Sequence, residues 1–296
     1  MEIKYHNPVM LEQVLEYLGL SEGKVIVDAT VGTAGHSSEI IKRIGPSGKL
    51  ICIDKDSNSL KIAAERLSDY QNNCVFIHSN FVDLDKVLLG LAVQQVDGII
   101  LDLGVSSYQL DDPARGFSFS KDGPLDMRLD QDSYISAYDL VNNLNEEELS
   151  GILRNFGQER WHNRIARFLV QERQKHPIAT TAELSRIVLK AVPYRGHQRI
   201  HPATRTFQAV RIAVNRELEI LGQAIVKAIG LLRKNGRIAV ISFHSLEDRI
   251  VKLAFREKEK SGLLKIITRK PLEPSWEQIK GNRACRSAKL RVAERI

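Results

Sequence analysis

The first hundred residues alternate between short apolar runs and segments with helical spacing of apolar side chains. Runs rich in β-branched residues at 25–29, 50–54, 75–78 and 98–103 predict four strands. Amphipathic patterns at 38–44 and 59–67 predict helices between the first three. Nearly continuous apolar strands separated by helices predict a parallel sheet covered on both faces, with ligands at the carboxyl ends of its strands.

The predicted sheet is preceded by a helix. Asn7 and Pro8 come before apolar residues at helical spacing, and Gly19 follows them, so we expect a helix that starts at Pro8 and ends before a C′ glycine.

The strand pattern stops after Leu103, and about a hundred residues follow with helical patterns only. Asn145 before three glutamates, and Thr180 with Glu183, predict capped helix starts. A long apolar pattern over 207–232 predicts one helix that returns the chain to the sheet, where 237–243, 263–268 and 289–294 predict the last strands. The sequence therefore predicts an α/β fold with an inserted all-helical domain.

Charge divides the chain into parts of opposite sign. Residues 1–150 hold 12 basic and 24 acidic side chains, whereas residues 151–220 hold 13 and 5 and residues 221–296 hold 18 and 7. Basic residues concentrated in one part of a fold favour a polyanionic partner such as nucleic acid, and a solvated basic surface is the structural alternative.

Composition excludes several classes of protein. No apolar run approaches the ~18 residues that a membrane span requires, and the start of the chain lacks the basic and apolar regions of a signal peptide. Cys52, Cys74 and Cys285 have neither the spacing of metal ligands nor that of a disulfide framework. We expect a cytoplasmic protein with reduced thiols, no membrane partner and no metal.

Two glycines follow the first predicted strand. Gly32 and Gly35 lie where the backbone approaches a ligand before a helix begins, which favours a nucleotide-like cofactor. The pyrophosphate fingerprint lacks its first glycine, because that position is Thr30. S-adenosylmethionine has no pyrophosphate and fits better, and an ordinary tight turn is the alternative.

The ends of the next two strands carry candidate cofactor contacts. Asp54 ends the second strand, where a carboxylate can bind both ribose hydroxyls. Phe81 follows the third strand and could lie against an adenine, although a strand-end phenylalanine is more often core. His36 is either a cofactor contact or only the first residue of a helix.

The fourth strand ends at Asp102, which is followed by Gly104, Ser106 and Ser107. An acceptor at this edge could hold the N–H groups of an exocyclic base amine and direct its lone pair at an electrophile. Asp102 is our candidate for this role. It could equally hold the amino group of the cofactor.

Eight strings of residues in chain order carry a close resemblance to a known family. They lie at 6–9 (HNPV), 35–37 (GHS), 102–107 (DLGVSS), 109–112 (QLDD), 115–119 (RGFSF), 122–128 (DGPLDMR), 201–211 (HPATRTFQAVR) and 242–249 (SFHSLEDR). Together they resemble the bacterial 16S ribosomal RNA cytosine-N4 methyltransferases over almost the whole chain.

This resemblance implies a class I methyltransferase with a Rossmann-like sheet at 1–112 and 217–296, and an inserted helical RNA-recognition domain at 113–216. It implies S-adenosylmethionine as methyl donor and N4 of a cytidine in the decoding centre, at the P site, as acceptor. The expected partner is 16S ribosomal RNA within the small ribosomal subunit. We leave the oligomeric state open.

The resemblance also implies individual site residues. Cofactor contacts fall on Ala34, Gly35, His36, Asp54, Phe81, Asp102 and Gln109, and the residues expected to line the RNA side are His201, Arg205, Arg211, His244 and Arg249. For each arginine the alternative is a solvated helix face or an ion pair, and for His244 a satisfied strand-end histidine.

This chain departs from the family pattern at two places. Ala34 replaces a common glycine, which a backbone contact to the cofactor tolerates. Residues 282–287 read Asn-Arg-Ala-Cys-Arg-Ser instead of Asn-Pro-Arg-x-Arg-Ser, which leaves an RNA role of that segment open.

Three other kinds of protein are weighed against this interpretation. A small-molecule methyltransferase would not need a basic insertion, and an NAD-dependent oxidoreductase would need the missing glycine. An RNA-binding scaffold with an inactive methyltransferase domain would lack the residues that bind the cofactor, but Gly35, Asp54 and Asp102 are all present.

Overall fold

The computed structural model describes residues 8–193 and 200–296, without the side chains of residues 283 and 284. Two compact units make up the chain: one runs to Gly104 and resumes at Leu218, and the other is Val105–Glu217. The sequence-based boundaries, after residues 112 and 216, differ from this division. His6 and Asn7 lie outside the described residues.

The first unit is built on a sheet of seven strands in the order β3-β2-β1-β4-β5-β7-β6. The strands are β1 (Val25–Asp28), β2 (Lys49–Asp54), β3 (Cys74–His78), β4 (Val96–Asp102), β5 (Leu232–Ser242), β6 (Leu264–Ile266) and β7 (Lys289–Arg295). Strands β1 to β5 pair in parallel, and β7 is antiparallel to both β5 and β6. The predicted parallel α/β sheet is confirmed.

The helices are α1 (Leu11–Tyr17), α2 (Ser37–Ile44), α3 (Ser57–Arg66), α4 (Leu84–Gly90), α5 (Ser107–Asp111), α6 (Ala137–Asn143), α7 (Glu146–Gly157), α8 (His162–Arg173), α9 (Thr181–Ala191), α10 (Thr204–Asn215), α11 (Glu217–Leu231), α12 (Ser245–Lys260) and α13 (Trp276–Gly281). No helix in the described ranges has both the length and the apolar character needed to cross a bilayer.

Each face of the sheet has its own apolar core. Successive strand residues point to opposite faces, so Ile26 joins the core with α1, α2 and α3, whereas Val27 joins the core with α4, α11 and α12. Both residues are fully buried. Burial on both faces explains why the strands of this unit are almost continuously apolar.

The second unit has its own apolar core, formed by residues of α6 to α10 and of the segment 117–129. Its described residues contain one isolated β-bridge, between Pro124 and Thr180, and no named strand. Both predicted capped starts are confirmed, because Asn145 and Thr180 form capping boxes with Glu148 and Glu183.

The long helix predicted over 207–232 is wrong. It is two helices, since Arg216 between α10 and α11 has a left-handed backbone with φ of 51°. Just before it, the buried Asn215 amide accepts from Leu129 N–H at 2.8 Å and donates to the Met127 carbonyl at 2.8 Å. The spacing of apolar residues does not reveal a single left-handed residue. The apolar pattern therefore continues past Arg216 although the helix ends there.

The start predicted for α1 is also wrong. The helix begins at Leu11, because Met10 has a left-handed backbone with φ of 53°. Its predicted end is confirmed by Gly19, whose φ is 66°.

Candidate functional site

Acidic residues end three neighbouring strands at one edge of the sheet. Asp28, Asp54 and Asp102 are the last residues of β1, β2 and β4. Since β1 pairs with β2 on one side and with β4 on the other, the loop after β1 lies between Asp54 and Asp102. The sheet order thus creates the ligand edge that the strand pattern predicts.

The loop after β1 makes a tight turn through two left-handed residues. Gly32 has φ of 51° and Ala34 has φ of 61°. Glycine adopts this conformation freely, whereas a side chain there costs about 1 kcal/mol, so the glycine that the family resemblance implies at position 34 would form this turn with less strain than Ala34. A Cβ on Gly35 would lie 3.1 Å from Pro8 Cβ, so Gly35 also allows the N-terminal segment to pack against the loop.

Asp54 joins the loops that follow β1 and β2. Its Oδ2 accepts from Gly32 N–H at 2.8 Å, and its Oδ1 accepts from Asp56 N–H at 2.9 Å. Burial raises the pKa of this carboxyl, and the two backbone bonds oppose that shift. Each carboxylate oxygen can accept a second hydrogen bond, so Asp54 retains the capacity to bind two hydroxyl groups.

His36 is buried at the start of α2, and its tautomer follows from its partners. Nε2 lies 2.9 Å from the Val9 carbonyl oxygen, which can only accept, so Nε2 carries the hydrogen. Burial lowers the pKa of His36 to about 4. The ring is therefore neutral at physiological pH, and its Nδ1 is a hydrogen-bond acceptor 3.7 Å from Asp102 Oδ2.

The backbone of Asp102 is fixed by a hydrogen bond, whereas its carboxyl group lacks a complete set of hydrogen-bond partners. Its N–H donates to Thr30 Oγ1 at 2.6 Å, while its Oδ1 is buried and has no hydrogen-bond partner among the described residues. Burial, and then the charges of Asp28 and Glu247, raise the pKa of Asp102 to about 8. At neutral pH Asp102 and His36 are thus mostly uncharged, and their contact is not an ion pair.

The sequence interpretation missed the roles of two residues beside Asp102, Asp28 and Thr30. Asp28 is buried, accepts from Ser37 Oγ at 2.7 Å and has its pKa raised to about 6, chiefly by burial. Thr30 fixes the Asp102 backbone. Their position directly after an apolar strand was the available signal, but residue type alone does not give the direction of a hydroxyl.

The carboxyl end of β5 is closed by a capping box at the start of α12. Glu247 N–H donates to His244 Nδ1 at 3.4 Å, and Glu247 Oε2 accepts from His244 N–H at 3.3 Å and from Phe243 N–H at 2.8 Å. The His244 side chain is 12% exposed. Its Nδ1 caps α12, whereas its buried Nε2 has no hydrogen-bond partner among the described residues. The RNA contact expected for His244 therefore stays a prediction.

The structure gathers part of the expected cofactor set. Ala34, Gly35, His36, Asp54 and Asp102 all lie at the carboxyl edge of the sheet.

Two other members of the set have local structural roles. Phe81 is half-buried and packs against an apolar core of the first unit. Gln109 belongs to the second unit, where its side chain accepts from Ser106 N–H at 2.9 Å and completes the capping box of α5.

The arginines and His201 expected on the RNA side differ in availability. His201 is exposed and its ring stacks on Phe119, and Arg205 is exposed and donates to the Gln158 carbonyl.

Arg211 and Arg249 have opposite environments. Arg211 forms a bidentate pair with Glu217, with both contacts at 3.0 Å, and its side chain is only 17% exposed, which favours the ion-pair alternative for that residue. Arg249 is exposed on α12.

We predict that Asp102→Asn stabilises the protein increasingly as the pH rises from 5 to 9. The raised pKa means that the folded state prefers protonated Asp102, so the contribution of Asp102 to stability is complete below its unfolded pKa and is lost as the pH rises through about 8. Asparagine does not ionise, and removing the open carboxylate should stabilise by ~1 kcal/mol or more at pH 9.

Denaturant unfolding at each pH measures this difference. The exposed Asp69 provides a control, Asp69→Asn, which should follow the wild type throughout. A stability difference between Asp102→Asn and wild type that stays constant from pH 5 to 9 would contradict the prediction.

The sequence of this chain is similar to known proteins over almost its whole length. A family model described as the MraW methylase family matches residues 3–296. Proteins named ribosomal RNA small subunit methyltransferase H from Clostridium botulinum (strain 657 / Type Ba4) and Finegoldia magna are 49% and 47% identical, each over all of both chains. A crystal structure of an rRNA methylase from Streptococcus thermophilus aligns with 97% of this chain and 93% of its own, at 12% identity and a TM-score of 0.43.

The family model covers almost the full length, and the relatives match from end to end. The predicted resemblance is confirmed, as is the prediction of a methyltransferase enzyme with a class I fold. The chain belongs to the MraW methylase family.

Proposed function

We propose that this protein transfers a methyl group from S-adenosylmethionine to N4 of a cytidine in the decoding centre of 16S ribosomal RNA. The names of its full-length relatives support ribosomal RNA as the substrate. The observation that carries the chemistry is Asp102, a carboxyl group at the ligand edge whose buried Oδ1 has no partner among the described residues.

The residues at this edge fit the methyl donor. Asp54 can accept from the two ribose hydroxyls while it keeps both backbone bonds. The turn at Gly32 and Ala34 brings backbone to the same edge, and Asp102 offers an acceptor to the methionine part. When bound, S-adenosylmethionine supplies a sulfonium, which is an already activated methyl group.

Asp102 is proposed to orient the acceptor amine. The lone pair of an exocyclic amine is delocalised into the base, so an acceptor that holds its N–H groups favours the geometry of attack. A cation nearby also lowers the pKa of a carboxyl group, so a cationic donor would favour ionised Asp102. The alternative, that Asp102 binds only the amino group of the cofactor, uses the same oxygen.

A proton must leave the amine when the new carbon–nitrogen bond forms. An ionised Asp102 can take it on its partly exposed carboxylate, and His36 Nδ1 presents a second lone pair 3.7 Å from Oδ2. His36 stays neutral because of its burial and its bond to Val9. Asp102 and His36 therefore offer two acceptor groups for this proton.

The second unit, residues 105–217, is proposed to recognise RNA within the small ribosomal subunit, in the cytoplasm. The basic excess of residues 151–220 supports this, as do the exposed His201 and Arg205. The target base must leave its stack to reach the sheet edge, and contacts to flanking phosphates would hold the RNA meanwhile.

Mass mapping of methylated nucleosides tests the function. In 16S ribosomal RNA from cells that lack this protein, N4 methylation of one decoding-centre cytidine should be lost. It should return with the wild-type gene and stay reduced with Asp102→Asn. An unchanged methylation pattern would refute the substrate, and a lost methyl group on another atom would refute the assignment of N4.

We predict that Asp54→Ala weakens S-adenosylmethionine binding at least tenfold. A carboxylate forms charge-assisted bonds of ~1.5–3 kcal/mol each, and the alanine also frees the Gly32 turn. Calorimetric titration measures the affinity, with Asp69→Ala at an exposed position as the matched surface control. Wild-type affinity in folded Asp54→Ala would remove Asp54 from the cofactor site.

The two roles of Asp102 give different kinetic results. If Asp102 orients the amine, Asp102→Asn should lower the single-turnover rate at saturating cofactor and RNA; if it holds the cofactor, the affinity should fall instead. We expect both effects, with the larger loss in cofactor affinity, because the sulfonium is already activated. A hundredfold lower rate, ~2.7 kcal/mol of barrier, with wild-type cofactor affinity would contradict that expectation.

A further inference from the structure

Helix α12 has one buried face and one cationic face. Val251 and Phe255 are buried in the core of the first unit. The opposite face presents four exposed residues spaced by four, three and four positions: Arg249, Leu253, Arg256 and Lys260. This spacing places them in one row along the helix, ~16 Å long. We call these four residues the α12 stripe.

The acidic residues of α12 contact groups other than the stripe. Asp248 pairs with Arg291 at 2.6 Å, and Glu259 pairs with Arg269 at 2.7 Å.

The other two acids of α12 lie outside the stripe and differ in exposure: Glu247 is buried, whereas the Glu257 side chain is 75% exposed. Glu247 is buried in the capping box, and Glu257 lies 3.8 Å from Lys258.

A solvated helix face commonly alternates acids and bases at i,i+4 spacing. The stripe contains no acid, and in the described part of the chain no ion pair neutralises Arg249, Arg256 or Lys260. Its three positive charges are therefore available to an external anion.

The position of the stripe relates it to the site. Strand β5 pairs with β4, with Ile241 opposite Asp102, and α12 starts at Ser245, three residues after β5 ends. The stripe therefore begins near the carboxyl edge with Arg249 and runs away from it to Lys260. A polyanion whose target group reaches Asp102 would have its flanking segment within reach of this row.

We propose that the α12 stripe binds the phosphate backbone of the substrate RNA beside the target nucleotide. The inference rests on the proposed function, in that it takes RNA as the substrate. Lysine and arginine contacts to phosphate position a nucleic acid without reading its sequence. Leu253, 53% exposed in the middle of the row, offers an apolar contact to a ribose or a base between two phosphates.

The test compares two triple variants of equal charge change in the full-length protein. The stripe variant carries Arg249→Ala, Arg256→Ala and Lys260→Ala. The control variant carries Arg43→Ala, Lys61→Ala and Lys234→Ala, three exposed cations elsewhere in the first unit. Binding to a 16S ribosomal RNA transcript is measured over a range of salt concentrations, together with S-adenosylmethionine affinity and thermal unfolding.

The stripe variant should bind the transcript at least tenfold more weakly. The slope of log affinity against log salt should be smaller by about 2, because each lost phosphate contact removes ~0.7 for single-stranded RNA. Cofactor affinity and unfolding temperature should match the wild type. The control variant should keep most of the RNA affinity.

Equal losses in both triple variants would show a general charge effect and overturn the proposal. If the wild type binds and methylates the RNA, and the stripe variant keeps the wild-type RNA affinity and salt slope, the role of the stripe in RNA binding is overturned but the proposed function is not. A wild type that neither binds nor methylates the transcript or small ribosomal subunits from cells that lack this protein would overturn the proposed function and the stripe together. Arg256→Glu provides a second variant, which should weaken RNA binding more than Arg256→Ala.

Discussion

The site depends on a carboxyl group held at the end of β4 without a complete set of hydrogen bonds. The Asp102 side chain is only 25% exposed, and Asp28 and Glu247 add negative charge nearby. Ionisation therefore becomes costly, and the pKa of Asp102 rises to about 8. The fold tolerates this because Thr30 holds the Asp102 backbone rather than its side chain. The carboxyl group therefore stays available to a ligand, at the expense of stability.

The sequence was sufficient to predict the parallel sheet, because strands that are buried on both faces consist of consecutive apolar residues, such as Ile26 and Val27. It was also sufficient for the capped starts at Asn145 and Thr180, because a capping box is a local pattern. Asp54 and Asp102 could be placed at one edge from strand order alone. These features depend on residue type and spacing, which the sequence states directly.

Helix boundaries and the availability of individual side chains could not be predicted, because they depend on backbone angles and on interaction partners that are distant in sequence. The left-handed residues Met10 and Arg216 leave no mark in apolar spacing, so one helix start and one helix break were predicted wrongly. The bidentate bonds of Arg211 to Glu217 and the capping position of His244 are three-dimensional facts. A resemblance gives a residue its family role, but only the fold shows whether its side chain already has a partner.

The same reasoning separates the basic residues of this chain into two groups. Arg291, Arg269 and Arg211 neutralise acids of the protein itself, so their charge contributes to folding rather than to association. Asp248 and Glu259 of α12 pair with arginines outside its exposed row, so these two acids do not cancel the positive charge of that row. A net charge of +7 therefore understates the field at this surface, because association with a polyanion depends on local charge rather than on the total.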